Sequence, residues 1–263
     1  MNGFKLKIKR MIKVNPMIKV GSLFAGIGGF ELGAQRAFNK AGIAHQVLFQ
    51  VEQNKFCQKV LNKHWPNAQI FDDVRLVGSH NLPYVDILMG GFPCQDISQC
   101  GKQKGIINGK KSSLWFQMLR VIGEIRPKIT VLENVPSIIR LGGTTVITGL
   151  TQLGYDCQWT IISARQFGAP HIRKRWFCIA TDTNSDSKSI STEYAKTSFM
   201  QKSTKYDSSE CKKYWDTAPI KPVFCTVDDG IPDRLARLKA LGNAIVPQCS
   251  EYIFQQIIKN ILQ

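Results

Sequence analysis

The stretch Val85-Asp86-Ile87-Leu88-Met89-Gly90-Gly91-Phe92-Pro93-Cys94-Gln95 decides the fold. Its apolar first half reads as a strand buried on both faces of a parallel sheet. Two glycines and a proline then stop the strand and swing Cys94 outward at its carboxyl end. In open α/β sheets that edge is where ligands bind. A thiolate held there by a rigid turn is placed to act as a nucleophile. Taken alone, a free cysteine is more often a small buried hydrophobe, so the rest of the chain has to decide.

Outward from this stretch, short β-rich runs alternate with helix-like segments. Strands are expected over 19–24, 45–52, 85–89, 129–132, 157–164 and 175–180. Helical periodicity fills 31–39, 54–63, 114–125 and 146–153. The alternation predicts an α/β fold: a doubly wound, mostly parallel, Rossmann-like sheet with helices on both faces. After Thr181 the pattern breaks. Residues 182–228 are rich in Ser, Thr, Lys and Tyr and read as a small inserted module, with a disordered linker as the bland alternative. A basic helix over 231–241, ended by Gly242-Asn243, and a last amphipathic helix near 248–262 close the chain.

The 263 residues carry 35 Lys and Arg against 19 Asp and Glu, a formal charge of +16. That excess suits a polyanion, nucleic acid before a membrane surface. No apolar run reaches the roughly 18 residues of a membrane span, and the N-terminus lacks the apolar core of a secretory signal. Residues 1–16 read as a mobile basic arm, or as a leader upstream of a start at Met17. Eight irregularly spaced cysteines without a Cys-x-x-Cys argue against a zinc site or disulfide framework, so no metal is expected and a reducing cytoplasm fits.

Other constellations cluster at strand ends. Phe24-Ala25-Gly26-Ile27-Gly28-Gly29-Phe30 is a glycine-rich turn that lets backbone approach a ligand closely. The third fingerprint glycine of a dinucleotide site is replaced by Glu31, which disfavours NAD. Glu52, closing the second strand, can bind ribose hydroxyls, and Asp73 can accept from an adenine amino group. Each could equally be a solvated acid. Glu133-Asn134-Val135-Pro136 follows an apolar run, so desolvation should raise the pKa of Glu133. Arg173 and Arg175, two apart, would point to one face of an extended chain and could fix the glutamate.

These blocks, with Pro93-Cys94-Gln95, the run from Gln166 to Arg175 and Gly242-Asn243-Ala244, occur in the order seen in bacterial and phage DNA (cytosine-5) methyltransferases, which the chain resembles over most of 20–180 and 231–248. The resemblance implies transfer of a methyl group from S-adenosylmethionine to C5 of cytosine in duplex DNA. The flipped-out base would be held by a covalent bond from Cys94 to C6. It implies Glu133 at N3, Arg175 at O2 and Arg173 orienting Glu133. The cofactor would meet Phe24, Ala25, Gly26, Gly28, Gly29, Glu52, Asp73 and Asn243. Residues 98–111 would form a closing loop, with Pro93, Gln95, Ser98, Lys102, Lys104 and Lys111 toward the substrate.

Four departures stand out. Ser22 replaces a usual Asp, His171 a usual Gln, Lys111 a common Arg of the closing loop, and Gln53 follows Glu52 where an aromatic often stacks on adenine. The implied organisation is an arm (1–16), a catalytic domain (17–181) completed by 229–263, and a target-recognition module (182–228). A monomer is expected, with room for a separately acting restriction endonuclease. The competing readings are RNA cytosine methylation by the same apparatus and a non-catalytic DNA-binding protein that retains the fold.

Overall fold

The computed structural model describes residues 17–93, 114–183 and 234–262. Its centre is a seven-stranded sheet: β1 (Ile18–Leu23), β2 (His45–Val51), β3 (Gln69–Phe71), β4 (Ile87–Gly90), β5 (Ile129–Asn134), β6 (Tyr155–Ser163) and β7 (Lys174–Asp182). The order is β3-β2-β1-β4-β5-β7-β6. Every pairing is parallel except those of β7, which runs antiparallel to both β5 and β6. The sheet is therefore mostly parallel, as expected, with one strand reversed. Its switch point lies where β1 is flanked by β2 and β4, and the crevice outside these carboxyl ends is the place for a ligand.

Alternating side chains divide the core between two faces. On one, Ile18, Val20, Phe177 and Ile179 pack beneath α1 (Gly29–Lys40) and α7 (Pro247–Ile257). On the other, Leu23, Leu88, Trp176 and Cys178 meet Trp115, Met118 and Val121 of α3 (Leu114–Ile125). The remaining helices are α2 (Lys55–His64), α4 (Ile138–Leu141), α5 (Gly143–Gln152) and α6 (Arg234–Asn243). α1 and α7 approach closely because a Cβ on Gly33 would stand 2.4 Å from Ser250. Ser250 Oγ donates to the Phe30 carbonyl, and the Phe38 and Phe254 rings meet edge to face at 5.6 Å. The segment after 234 thus belongs to the same core as α1.

The boundaries differ from expectation in physical ways. β4 starts at Ile87, although the backbone of Asp86 already bonds to both neighbours, its N–H to the Lys19 carbonyl at 2.9 Å and its carbonyl to the Ile129 N–H at 3.0 Å. Its carboxylate takes the Lys19 N–H and Lys128 Nζ, at 3.0 and 2.9 Å. β7 runs to Asp182, where Arg126 pairs with the carboxylate at 2.6 Å. α6 continues through Gly242-Asn243 instead of ending before it, while 231–233 lie outside the described residues. α7 gives way at Ile258 to a wider π-turn, Ile258–Leu262. The three-residue β3 and the four-residue α4 were too short to show a period. The arm 1–16 and all of the expected 182–228 module beyond Thr183 fall outside the described residues.

Candidate active site

The end of β1 turns sharply. Phe24 and Gly26 both adopt left-handed φ values, 56° and 58°, a conformation that costs a phenylalanine about 1–3 kcal/mol. The turn is held from β2. Glu52 Oε2 accepts from Gly26 N at 2.8 Å, and Oε1 from Asn54 N at 2.7 Å. Asn54 also caps α2, accepting from the N–H groups of Phe56 and Cys57. One carboxylate therefore ties the glycine turn, the end of β2 and the start of α2 together.

Asp73, expected as an open acceptor, is gripped by Arg75. Nε stands 3.0 Å from each carboxylate oxygen, and the backbone N–H of Arg75 adds a bond of 2.9 Å. This partner holds the Asp73 carboxyl below the usual range. Arg120 of α3 fixes the following turn through the carbonyls of Val74 and Val77, each at 3.0 Å.

At the other end, β5 delivers Glu133 to the same crevice. Arg175 Nε lies 2.9 Å from Glu133 Oε1, and the glutamate side chain is only 12% exposed. Burial pushes its carboxyl up to about 7, against the lowering charges of Arg175 and Arg173. Gly91 makes room, since a Cβ there would stand 2.8 Å from Glu133 Oε2. Asn134 Nδ2 donates to the Phe92 carbonyl at 3.2 Å and so pins the turn after β4 against β5.

Arg173 departs from the expected geometry. Its φ of 26° takes it out of extended chain, so the two-residue spacing does not put it on one strand face with Arg175. One Nη reaches the carbonyls of Gly242 and Ala244, at 2.9 and 2.6 Å. It thereby clamps both sides of Asn243, and its charge also acts on Glu133.

Both ends open into one cavity of about 720 Å³, lined among others by Phe24, Gly26, Glu52, Asp73, Pro93, Glu133, Arg175 and Asn243. Ala25, Gly28 and Gly29 are not on its wall. The two glycines are required by packing instead: a Cβ at Gly28 would stand 2.2 Å from the Trp65 ring, and one at Gly29 2.5 Å from the Ile245 carbonyl. Cys94, Gln95, Ser98, Lys102, Lys104 and Lys111 lie outside the described residues, and Pro93, the neighbour of Cys94, is on the wall.

The sequence reading missed several wall residues, among them Asn54, Cys57, Phe116 and Lys239. Asn54 carried a signal, since it opens a helical period as a cap. Cys57 stays a thiol, because burial and the charge of Glu52 push it up to about 11. Among the described residues, no group of three or more His, Cys, Asp or Glu could hold a metal ion. No helix there is long and apolar enough to cross a membrane.

Residues 18–223 match the model of the C-5 cytosine-specific DNA methylase family. The type II methyltransferase M.CviJI of Paramecium bursaria Chlorella virus IL3A is 30% identical over 234 residues, covering 88% of this chain and 57% of that protein. M2.BsuMI of Bacillus subtilis is 35% identical over 172 residues, 62% of this chain and 42% of the relative. The chain thus spans about half the length of such relatives. Among solved structures, one described as a DNA modification methyltransferase encoded within an E. coli prophage aligns with a TM-score of 0.52 at 26% identity, covering 63% of this chain and 47% of that one. The Entamoeba histolytica methyltransferase EhMeth, at 18% identity and a TM-score of 0.55 over 66% of this chain and 56% of its own, shares the fold. Matched by the family model over most of its length, the chain belongs to the C-5 cytosine-specific DNA methylase family.

Proposed function

We propose that the protein methylates C5 of cytosine in duplex DNA, with S-adenosylmethionine as methyl donor. The observation that carries the reading is a single cavity with a buried, near-neutral acid paired to an arginine at one end and a carboxylate-braced glycine turn at the other. The cavity's size is that of a small-molecule site. A Cβ on Gly26 would meet nothing within 4 Å, so this glycine opens onto free space where a nucleoside can approach backbone. Glu52, Gly26, Phe24 and Asn243 would hold the cofactor, which supplies an electrophilic methyl group when bound. Asp73 would share its carboxylate between Arg75 and an adenine amino group.

The chain's own groups then divide the work. Cys94 would add as thiolate to C6 of the flipped base and make C5 a nucleophile toward the donor's methyl group; a base then takes the C5 proton and the C6–S bond breaks, returning the thiolate. Glu133, poised near neutrality, supports this addition by holding a proton at N3. Arg175 keeps Glu133 in place and reaches O2, and Arg173 fixes the segment around Asn243. Residues 17–181 and 229–263 form the catalytic unit, and 182–228 reads the target, within a monomer in the cytoplasm that works beside a separate endonuclease.

The test is transfer of labelled methyl groups to duplex DNA and to transfer RNA, with trapping on 5-fluorocytosine DNA. The expected result is labelled DNA, unlabelled RNA, and a stable adduct that Cys94→Ser abolishes. An adduct through another cysteine, Cys57 included, or methyl transfer to RNA alone would overturn the reading.

A further inference from the structure

Behind the glycine turn lies a polar cluster that the proposed chemistry does not use. Ser22 of β1 and Gln50 of β2 are register partners, so their side chains leave the same face of the sheet. Glu31, in the first turn of α1, closes over them. All three residues are wholly buried. Gln50 Nε2 donates to Glu31 Oε1 at 2.9 Å, and the Ser22 hydroxyl acts on the same carboxyl.

The donors can be counted. Ser22 Oγ, Glu31 Oε2 and Gln50 Oε1 are buried oxygens without a partner among the described residues. With Glu31 ionised, Gln50 Nε2, the backbone N–H of Glu31 and the Ser22 hydroxyl all act on its carboxylate, and Gln50 Oε1 is the oxygen left orphaned. One added proton would remove the conflict: Glu31 Oε2–H can turn to Ser22 Oγ, and the Ser22 hydrogen to Gln50 Oε1. Burial and the like charge of Glu52 both favour that proton. Gln50, the backbone N–H of Glu31, Ser22 and the first turn of α1 favour the anion instead, but burial outweighs them. From α7, Ser250 is occupied by the Phe30 carbonyl and Glu251 by Lys40.

We propose that Glu31 works as a neutral carboxylic acid that positions the cofactor cradle. With that proton in place, a chain of hydrogen bonds through Ser22 and Gln50 would lock β1 to β2 two residues before Phe24 and Glu52, the side chains that shape the cradle. The positioning role rests on reading the cavity as the cofactor site. The protonation state does not.

The experiment uses the full chain, with thermal midpoints from pH 5 to 9 and the Kd for S-adenosylhomocysteine. Glu31→Gln replaces the acid O–H by an amide N–H and should keep the Kd within about twofold. Because a folded state that retains a proton loses stability as pH rises, the midpoint of E31Q should climb relative to wild type across this range. Glu31→Leu keeps volume but breaks the chain, and should weaken binding about tenfold. Should that variant not fold, Ser22→Ala cuts the same chain and should weaken binding several-fold. A midpoint difference between E31Q and wild type that stays constant from pH 5 to pH 9 would show a Glu31 already ionised throughout and overturn the proposal. Wild-type affinity in E31L, or in S22A where E31L fails to fold, would overturn the positioning role. If wild type itself does not bind S-adenosylhomocysteine, the cofactor reading fails, while the pH comparison still judges the proton.

Discussion

Arg175 Nε meets Glu133 Oε1 at 2.9 Å across an antiparallel ladder in which Glu133 pairs with Phe177 and Asn134 with Trp176. The ion pair is therefore fixed by strand register. Its charge offsets only part of the burial cost, and the carboxyl is left at about 7.

Glu133→Gln should lower the methylation rate by roughly 10²-fold or more, the loss typical of a positioned acid–base group, with little change in duplex binding. It should also change the pH dependence of stability. A carboxyl raised in the folded state holds its proton there and releases it on unfolding, so wild type loses stability as pH rises from about 4.5 to about 7. The cumulative effect is about 3 kcal/mol. Denaturant melts at pH 5 and pH 8 should show this decline weakened in the glutamine variant. An unchanged decline and a wild-type rate would remove Glu133 from the chemistry.

Arg175→Ala removes the first of the charges that lower Glu133. The glutamate should then titrate at higher pH, and its limb in a pH profile of kcat/KM should move the same way. Arg175→Lys should not restore the profile. Arg175 bonds Glu133 through Nε and the Lys174 carbonyl through Nη1, and a point charge on a flexible stem cannot reproduce that fork.

Arg173→Ala should free the carbonyls of Gly242 and Ala244. The loss is about 1.5–3 kcal/mol, the range for bonds to a charged donor. Hydrogen exchange should quicken over 240–246, and affinity for S-adenosylhomocysteine should fall about tenfold as Asn243 loses its brace. Protection that stays at wild-type level would show that the clamp carries no load.

Gly28→Ala combines a left-handed φ of 85° with a Cβ only 2.2 Å from the Trp65 ring. The expected cost is about 2–4 kcal/mol. Pairing it with Trp65→Leu should recover the steric part, giving a coupling of about 1–3 kcal/mol in a double-mutant cycle. Absence of coupling would mean that the glycine serves something other than the tryptophan.

Local period made some of this legible. Helix α3 spans Leu114–Ile125 as read, because Trp115, Met118, Val121, Ile122 and Ile125 all turn one face to the core. The burial of Glu133 was visible in the apolar run before it. What sequence could not give were partnerships between distant segments. Arg173 reaches carbonyls 69 and 71 residues away, and Gly28 answers to Trp65 rather than to the cavity. Arg75 is near Asp73 in sequence, yet its grip needs a turn whose shape depends on Arg120. Glycines in a turn look alike on paper, whether they face a ligand or a tryptophan.

The reversed strand has a geometric corollary. A six-residue strand such as β5 is about 20 Å long. Had β7 run with its neighbours, its first residues would have begun at the far rim of the sheet, that distance from Glu133. Running against them, it begins where β5 finishes. One change of chain direction thus turns opposite rims into adjoining ones, and the acid and its arginine are delivered to each other by the sheet's own hydrogen-bond ladder, with no excursion of loop between them.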